Sequence, residues 1–303
     1  MTEPDTQTPA NSSVSAGVTE APAAEDSLAR LIEFEIREGT VDLPVLPEVA
    51  VRVQDIIARD GYISEISAVI EREPAFAASI LRYANSVAFS GLKEITELRH
   101  AVSRLGINAV EQLILAISTR GAFHGGDPHD EKMLRGLWSH SIATAVGARW
   151  LARHTAGHSP EQAFLAGLLH DIGKVVILRC LAQMRRRDRV KYTLPEPALL
   201  ECLDRLHCGA GEALFDAWRL PKEIRDVVHR HHDPRFEPPA DMLIAIVSFA
   251  DRAACKIGYS LSPDPEVSLL DHPAATILAL NDVELACLVT DIEDDFLAFQ
   301  ESL

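Results

Sequence analysis

The string Leu168-Leu169-His170-Asp171-Ile172-Gly173-Lys174 sets an imidazole beside a carboxylate where an apolar helix runs into a glycine. Consecutive helical residues point about 100° apart, so such neighbours reach one ion only near a helix end that faces a cavity, and Gly173 eases that geometry. His140, on an amphipathic stretch at 138–151, and Asp251, on a late apolar stretch at 242–254, add nitrogen and oxygen donors from separate segments. A mixed set of this kind suits Mn, Fe, Zn or Mg with waters completing the shell, and an ion held that way activates water for attack on phosphorus. His207 ends one predicted helix and the pair His231 and His232 ends another, placing three more imidazoles for a second ion. The expected ligands are His140, His170, Asp171, His207, His231, His232 and Asp251, for one or two divalent ions. Asp171 and Lys174 are the candidate catalytic groups, the Lys174 ammonium stabilising phosphate charge beside the metal. A single histidine is usually a hydrogen-bonded structural side chain; it is the joint occurrence on separate helices that points to metal. His100, His124, His129, His154, His158, His229 and His272 match no ligand position and are read as surface or capping residues.

The segments that must carry these groups read as helices throughout, and strand patterns are scarce. Apolar residues recur at helical spacing from 27 to 37 (Leu28, Leu31, Ile32, Phe34), and Gly39 provides a stop before the extended Leu43-Pro44-Val45-Leu46-Pro47 connector. Helical period returns over 48–59; Ser64 is an expected N-cap for the helix bearing Ile66, Val69 and Ile70, and Pro74 opens another. Two more apolar runs follow, through Ile95 to Leu105 and from Asn108 to Ile117. The breaker Gly125-Gly126-Asp127-Pro128 marks a boundary. Beyond it helices are expected over 132–154, 159–171, 173–187, 195–206, 209–218, 221–232 and 239–257. The division that results is a disordered tail at 1–26, an N-terminal helical subdomain at 27–126, an HD-like helical subdomain at 127–257 and an acidic C-terminal extension at 258–303. In the extension Asp282, Glu284, Asp291, Glu293, Asp294, Asp295 and Glu301 predict a solvated acidic helix pair.

Composition narrows the functional classes. The chain has 303 residues, 47% hydrophobic, enough to bury a core without staples. Its five cysteines are scattered with no CxxC pair, which predicts buried reduced thiols rather than disulfides or a zinc knuckle. A formal net charge of -16 argues against general nucleic-acid binding. The run Arg185, Arg186, Arg187, Arg189 and Lys191 is read as a solvated helix end. No window approaches the roughly 18 apolar residues of a membrane helix, and the N-terminus lacks signal-peptide order, so a cytoplasmic protein is expected.

His140, the His170-Asp171 doublet and Asp251 match the H...HD...D pattern of the HD phosphohydrolase superfamily. Upstream, Leu43-Pro44-Val45-Leu46-Pro47, Glu73-Pro74-Ala75-Phe76, Leu81-Arg82-Tyr83-Ala84-Asn85-Ser86 and Ala101-Val102-Ser103-Arg104-Leu105-Gly106 resemble the N-terminal half of an HDOD domain. His207-Cys208-Gly209-Ala210-Gly211, Trp218-Arg219-Leu220-Pro221 and His231-His232 resemble its C-terminal half. The resemblance covers about 41–257. It implies an all-α fold, a five-helix HD core preceded by a helical subdomain, used as an output module in bacterial signal transduction. Many members have lost ligand residues, so membership alone does not imply catalysis. This chain keeps His140, His170, Asp171, His207, His231, His232 and Asp251 and in that respect also resembles HD-GYP phosphodiesterases. It departs from them in reading Asp233-Pro234-Arg235-Phe236 after His231-His232, and in having Gly136 where some of those enzymes have a Glu ligand.

Three functional classes stay open: a scaffold that binds signalling partners through its helical surface, a metal-dependent phosphohydrolase or phosphodiesterase acting on a nucleotide or cyclic nucleotide, and a sensor that binds metal or nucleotide without turnover. The leading expectation is a regulatory output module with a divalent-metal site.

Overall fold

Among the residues described by the structure, a computed structural model covering 21–85, 94–124, 127, 129–155, 157–189 and 194–302, fifteen α-helices alternate with short connections and no strand occurs. In order they are α1 (Ala21–Arg37), α2 (Glu48–Ala58), α3 (Ile63–Ile70), α4 (Pro74–Ala84), α5 (Leu98–Leu105), α6 (Ile107–Thr119) and α7 (Glu131–His154). There follow α8 (Pro160–Leu169), α9 (Ile172–Arg186), α10 (Glu196–Gly211), α11 (Ala213–Trp218), α12 (Lys222–Arg230), α13 (Met242–Lys256), α14 (Pro273–Ile277) and α15 (Asp282–Ser302). Gly125, Gly126, Pro128, Lys191 and residues 1–20 lie outside the described residues, so all of the breaker but Asp127 and most of the expected tail do too. Among the described residues no single helix is long and apolar enough to cross a membrane.

Local chemistry sets several helix ends. Ser159 caps α8 by accepting from the Gln162 amide at 3.2 Å, with Pro160 at the first helical position. Ser64 is not the cap of α3, which starts one residue earlier. The Glu65 carboxylate instead accepts from the Tyr62 amide at 3.0 Å, closing the first turn from inside. Helix α1 begins at Ala21, so the stretch expected to be disordered to residue 26 is helical at its end.

Around the site, α7 packs on α8 and α13, α9 packs on α10, and α12 bridges α8, α10 and α13. Helix α6 joins the N-terminal helices to this group through α8. Helix α1, expected to belong to the N-terminal subdomain, packs on α9 and α10. The buried apolar residues form one cluster running through both halves. Polar contacts fasten the connector between α1 and α2: Trp218 Nε1 donates to the Pro44 carbonyl at 2.7 Å, and the Gln183 amide group pairs with Thr40 O and Asp42 N. Two members of the basic run are structural ties rather than a solvated helix end. Arg185 pairs with Asp127 and Asp130 ahead of α7, and Arg189 pairs with Glu35 of α1.

The acidic extension is likewise not a solvated helix pair. Helix α15 lays Leu288, Ile292 and Phe296, spaced four residues apart on one face, into the core beside α7. Two of its acids are used: Asp295 accepts from the buried Arg149 at 3.0 Å, and Asp291 accepts from Trp150 Nε1 at 2.5 Å.

Asn85, at the end of α4, holds the strand-like approach to α5 with two bonds to one residue, Nδ2 to Ile95 O and Ile95 N to Oδ1, both 2.8 Å. Asn85→Ala strands both backbone groups of Ile95. Urea denaturation should show a loss of about 1–3 kcal/mol, while metal content per folded chain stays unchanged because the site lies on other helices.

Candidate metal centre

The His170-Asp171 doublet occupies the junction where α8 gives way to α9. His170 is the last residue of one turn, Asp171 precedes the first of the next, and both side chains are buried in the angle between the helices. Two glycines make that junction possible. A Cβ on Gly167 would lie 2.8 Å from Ala145 Cα and 2.9 Å from Thr144 O of α7, and one on Gly173 would lie 1.8 Å from His207 O of α10. Gly173 thus eases the geometry of the doublet by permitting close helix contact.

All seven expected ligands converge here, in two lobes that share Asp171. In the first, His140 of α7 places Nε2 3.2 Å from His170 Nε2, 3.5 Å from Asp171 Oδ2 and 3.1 Å from Asp251 Oδ1 of α13. In the second, Asp171 Oδ1 lies 3.3 Å from His207 Nε2 of α10 and 3.7 Å from His231 Nε2 at the end of α12, with His232 grouped beside them. One carboxylate thus turns one oxygen to each set of imidazoles.

Four of the imidazoles are oriented by backbone. Nδ1 contacts a carbonyl in each: Tyr259 O for His140 (2.7 Å), Gly167 O for His170 (2.6 Å), Asp204 O for His207 (2.9 Å) and Val227 O for His231 (3.1 Å). A carbonyl only accepts, so Nδ1 carries the hydrogen, and in the neutral ring Nε2 carries a lone pair. All four lone pairs then aim inward. His207 and His231 face each other Nε2 to Nε2 at 3.3 Å with no hydrogen to share, and Asp171 Oδ1 beside them is buried with no hydrogen-bond partner. Facing acceptors and an orphaned carboxylate oxygen are costly to bury unless a cation lies among them, so these residues fit a divalent ion.

Electrostatics agree for His170. Burial pushes the fully enclosed His170 down to about 3, keeping its ring neutral and able to ligate. Burial also acts on Asp171 and Asp251, against ionisation, but Lys174 together with the surrounding histidines in the one case, and His140 together with His170 in the other, outweigh it and hold both carboxyls below the usual range. His140 departs from His170: burial opposes its charge, but the facing Asp251 and Asp171 carboxylates together raise it, so an ion in this lobe would take the place of an Nε2 proton shared with Asp251.

Lys174 stands one turn into α9 with Nζ 2.9 Å from Asp171 Oδ2 and 3.0 Å from Asp204 Oδ1. Its ammonium is placed between two carboxylates at the mouth of the site. Asp204 carries no signal in the sequence beyond lying one turn before His207. The Tyr259 carbonyl that orients His140 was missed as well, because it belongs to the segment assigned to the acidic extension. A cavity of about 460 Å³ opens over the cluster, and Ser260, Leu261 and His272 of that extension line it with Lys174, Asp204 and Arg252. Leu261 fills the space beside Gly136, where an added Cβ would come within 2.7 Å of its Cδ2. His272 caps α14 through the Ala274 amide at 3.2 Å, as a capping residue was expected to, and also walls the cavity.

With the geometry in place, comparison with known proteins decides the family: residues 43–234 match the HDOD domain. The chain belongs to the HDOD family. The structure of this HDOD protein is similar to a protein provisionally named a metal-dependent phosphohydrolase, from Shewanella amazonensis SB2B, with a TM-score of 0.72 and 21% identity over 90% of this chain and 99% of that one. It is also similar to an HDOD domain protein with unknown function from Geobacter sulfurreducens, with a TM-score of 0.65 and 24% identity over 93% and 97% of the two chains. In sequence it is 27% identical over 218 residues to an uncharacterized protein of Treponema pallidum (strain Nichols), a match covering 69% of this chain and 42% of that one. The HDOD chain therefore spans less than half the length of that relative.

Proposed function

We propose that this HDOD protein is a signal-transduction output module that holds divalent metal in the Asp171-centred cluster and binds a phosphate-bearing ligand above it. The observation that carries the reading is the division of Asp171, with Oδ2 facing His140 and Oδ1 facing His207 and His231. His140, His170, Asp171 and Asp251 would hold one ion, and Asp171, His207, His231 and His232 a second. When bound, the metal supplies Lewis-acid charge for phosphate oxygens and lowers the pKa of a bound water. The chain's own residues do the rest. The backbone carbonyls fix the imidazole planes, the Lys174 and Arg252 side chains bring positive charge to the cavity wall, and the leucines around it exclude water from one side of a bound ligand. Signalling partners would dock on the helical surface outside the cavity.

Hydrolysis of the phosphoester is a second reading, and the cavity favours it. Purely structural metal sites are closed by protein, whereas sites that turn over substrate keep an open position, and here the cavity reaches His140, Asp171, His231 and His232 together. The test is metal analysis of full-length protein purified without chelator, followed by a screen against generic and cyclic-nucleotide phosphoesters with Mn or Fe added. Stoichiometric metal with phosphoester binding is the expected result, and metal-dependent turnover adds hydrolysis. Metal-free protein that stays so after supplementation overturns the proposal and leaves a partner-binding scaffold.

A further inference from the structure

We infer that the Cys255 thiol completes the first lobe as a sulfur ligand, so that this lobe takes a thiophilic transition metal such as Zn, Fe or Co in preference to Mg. The inference rests on the metal reading above. Cys255 lies one helical turn after Asp251 on α13, so both side chains leave the same helix face. Its Sγ is 3.7 Å from Asp251 Oδ1, the oxygen that His140 Nε2 approaches at 3.1 Å. The donor atoms of His140, Asp251 and Cys255 all lie within 4.8 Å of one another. Donors bonded to one tetrahedral ion at about 2.0–2.3 Å stand roughly 3.3–3.8 Å apart; the Asp251 oxygen is already about that far from both partners, and an inward shift of roughly an ångström closes the set. His170 provides an independent pointer to a cation at this place. It is fully buried, its Nδ1 is committed to the Gly167 carbonyl, and its Nε2 faces His140 Nε2 at 3.2 Å with Asp171 and Asp251 oxygens 3.6 and 3.8 Å away, a close approach of donor atoms that a cation would hold together.

The other lobe offers a contrast within the same protein. There the donors are Asp171, His207, His231 and His232, all nitrogen and oxygen. Cys208 is near, with Sγ 3.4 Å from His207 Nε2, but it falls outside the convergent set. The two lobes therefore differ in softness, and ligand softness is a main determinant of which metal a site retains. Coordination by Cys255 forms a metal–sulfur bond and releases the thiol proton to solvent. No electron is transferred and no co-reactant is required.

Cobalt reports this directly. Full-length protein loaded anaerobically with Co2+ should show thiolate-to-cobalt charge-transfer absorption in the near ultraviolet. The band should persist in Cys208→Ser and vanish in Cys255→Ser, with cobalt still bound through the remaining donors. X-ray absorption of the wild-type cobalt and zinc forms is a second readout that needs no variant at Cys255. A sulfur scatterer at about 2.3 Å that survives Cys208→Ser assigns the ligand even if Cys255→Ser fails to fold. Cobalt bound with only nitrogen and oxygen neighbours overturns the thiolate while leaving the metal centre standing. A sulfur band that follows Cys208 instead also overturns it. Failure of the protein to bind cobalt or zinc at all removes both this inference and the reading it rests on.

Discussion

Asp171→Asn is expected to empty both lobes of the metal centre, whereas His231→Ala should empty only the second. Asp171 is the one side chain common to the two sets, with Oδ2 3.5 Å from His140 Nε2 and Oδ1 3.3 Å from His207 Nε2. Asn keeps the shape but replaces one anionic oxygen by an amide nitrogen that cannot ligate and leaves the other oxygen neutral, so the second lobe loses its only carboxylate and the first is left with Asp251 alone. His231 approaches Asp171 through Oδ1, and against the first lobe it makes only an edge-on ring contact with His170. Elemental analysis should therefore show near-complete loss in Asp171→Asn and retention of the His140 and Asp251 ion in His231→Ala. Stability should follow. Asp171→Ala leaves the Lys174 ammonium, 13% exposed, with Asp204 alone as its partner, and removal of one member of a buried ion pair costs about 3–5 kcal/mol. Metal binding is coupled to folding, so the loss should be larger when wild-type and variant are compared in metal than in chelator. Equal metal content in wild type and Asp171→Asn would show that the carboxylate is paired to Lys174 and the histidines without holding an ion.

Much of this centre was legible because its donors are side chains with strong type preferences on helices of strong period. His140, His170, Asp171, His207, His231, His232 and Asp251 meet as their spacing implied, and α7, α8, α9 and α13 lie within a few residues of the expected spans. What escaped is backbone or depends on packing. The Tyr259 carbonyl orients His140, yet any residue there presents the same carbonyl, so residue type carries no sign of it. Asp204 looks like one more acid on an exposed helix face until Lys174 is seen to reach it. The packing face of α15 was open to view as Leu288, Ile292 and Phe296, but the density of acids around it drew attention to solvent instead. Two of those acids, Asp291 and Asp295, in fact face Trp150 and Arg149 of α7. Cys255 was read as a buried reduced thiol because a lone cysteine has no spacing partner in sequence. Its partners are His140 from another helix and Asp251, whose role was assigned on other grounds.

Gly173→Ala is expected to destabilise the fold by about 3 kcal/mol or more and to displace His207 from the second lobe. Two opposing effects are set against each other. Alanine favours a helix over glycine by about 1 kcal/mol, and Gly173 is the second residue of α9 with no positive φ that would demand glycine. Against that, a Cβ at this position meets His207 O at 1.8 Å, His207 C at 2.7 Å and Gly211 N at 2.7 Å. These are backbone atoms inside α10, and no rotamer moves them. Relief requires α9 and α10 to separate by more than an ångström, which opens a tightly packed interface where overpacking costs about 1–3 kcal/mol even when side chains can yield. The clash therefore outweighs the gain in propensity. Because the obstructed oxygen belongs to His207 itself, the separation carries that imidazole away from Asp171 Oδ1. Gly211→Ala is the useful comparison, since its Cβ meets the end of a side chain, Val228 Cγ1 at 2.6 Å, and stays 3.5 Å from the nearest backbone atom of Gly173. It should cost less stability and leave more metal bound. Urea denaturation with metal analysis separates the outcomes: a Gly173→Ala protein as stable as wild type and fully loaded would mean that α9 and α10 do not approach closely at the doublet, and that His207 is held by something other than the contact the glycine permits.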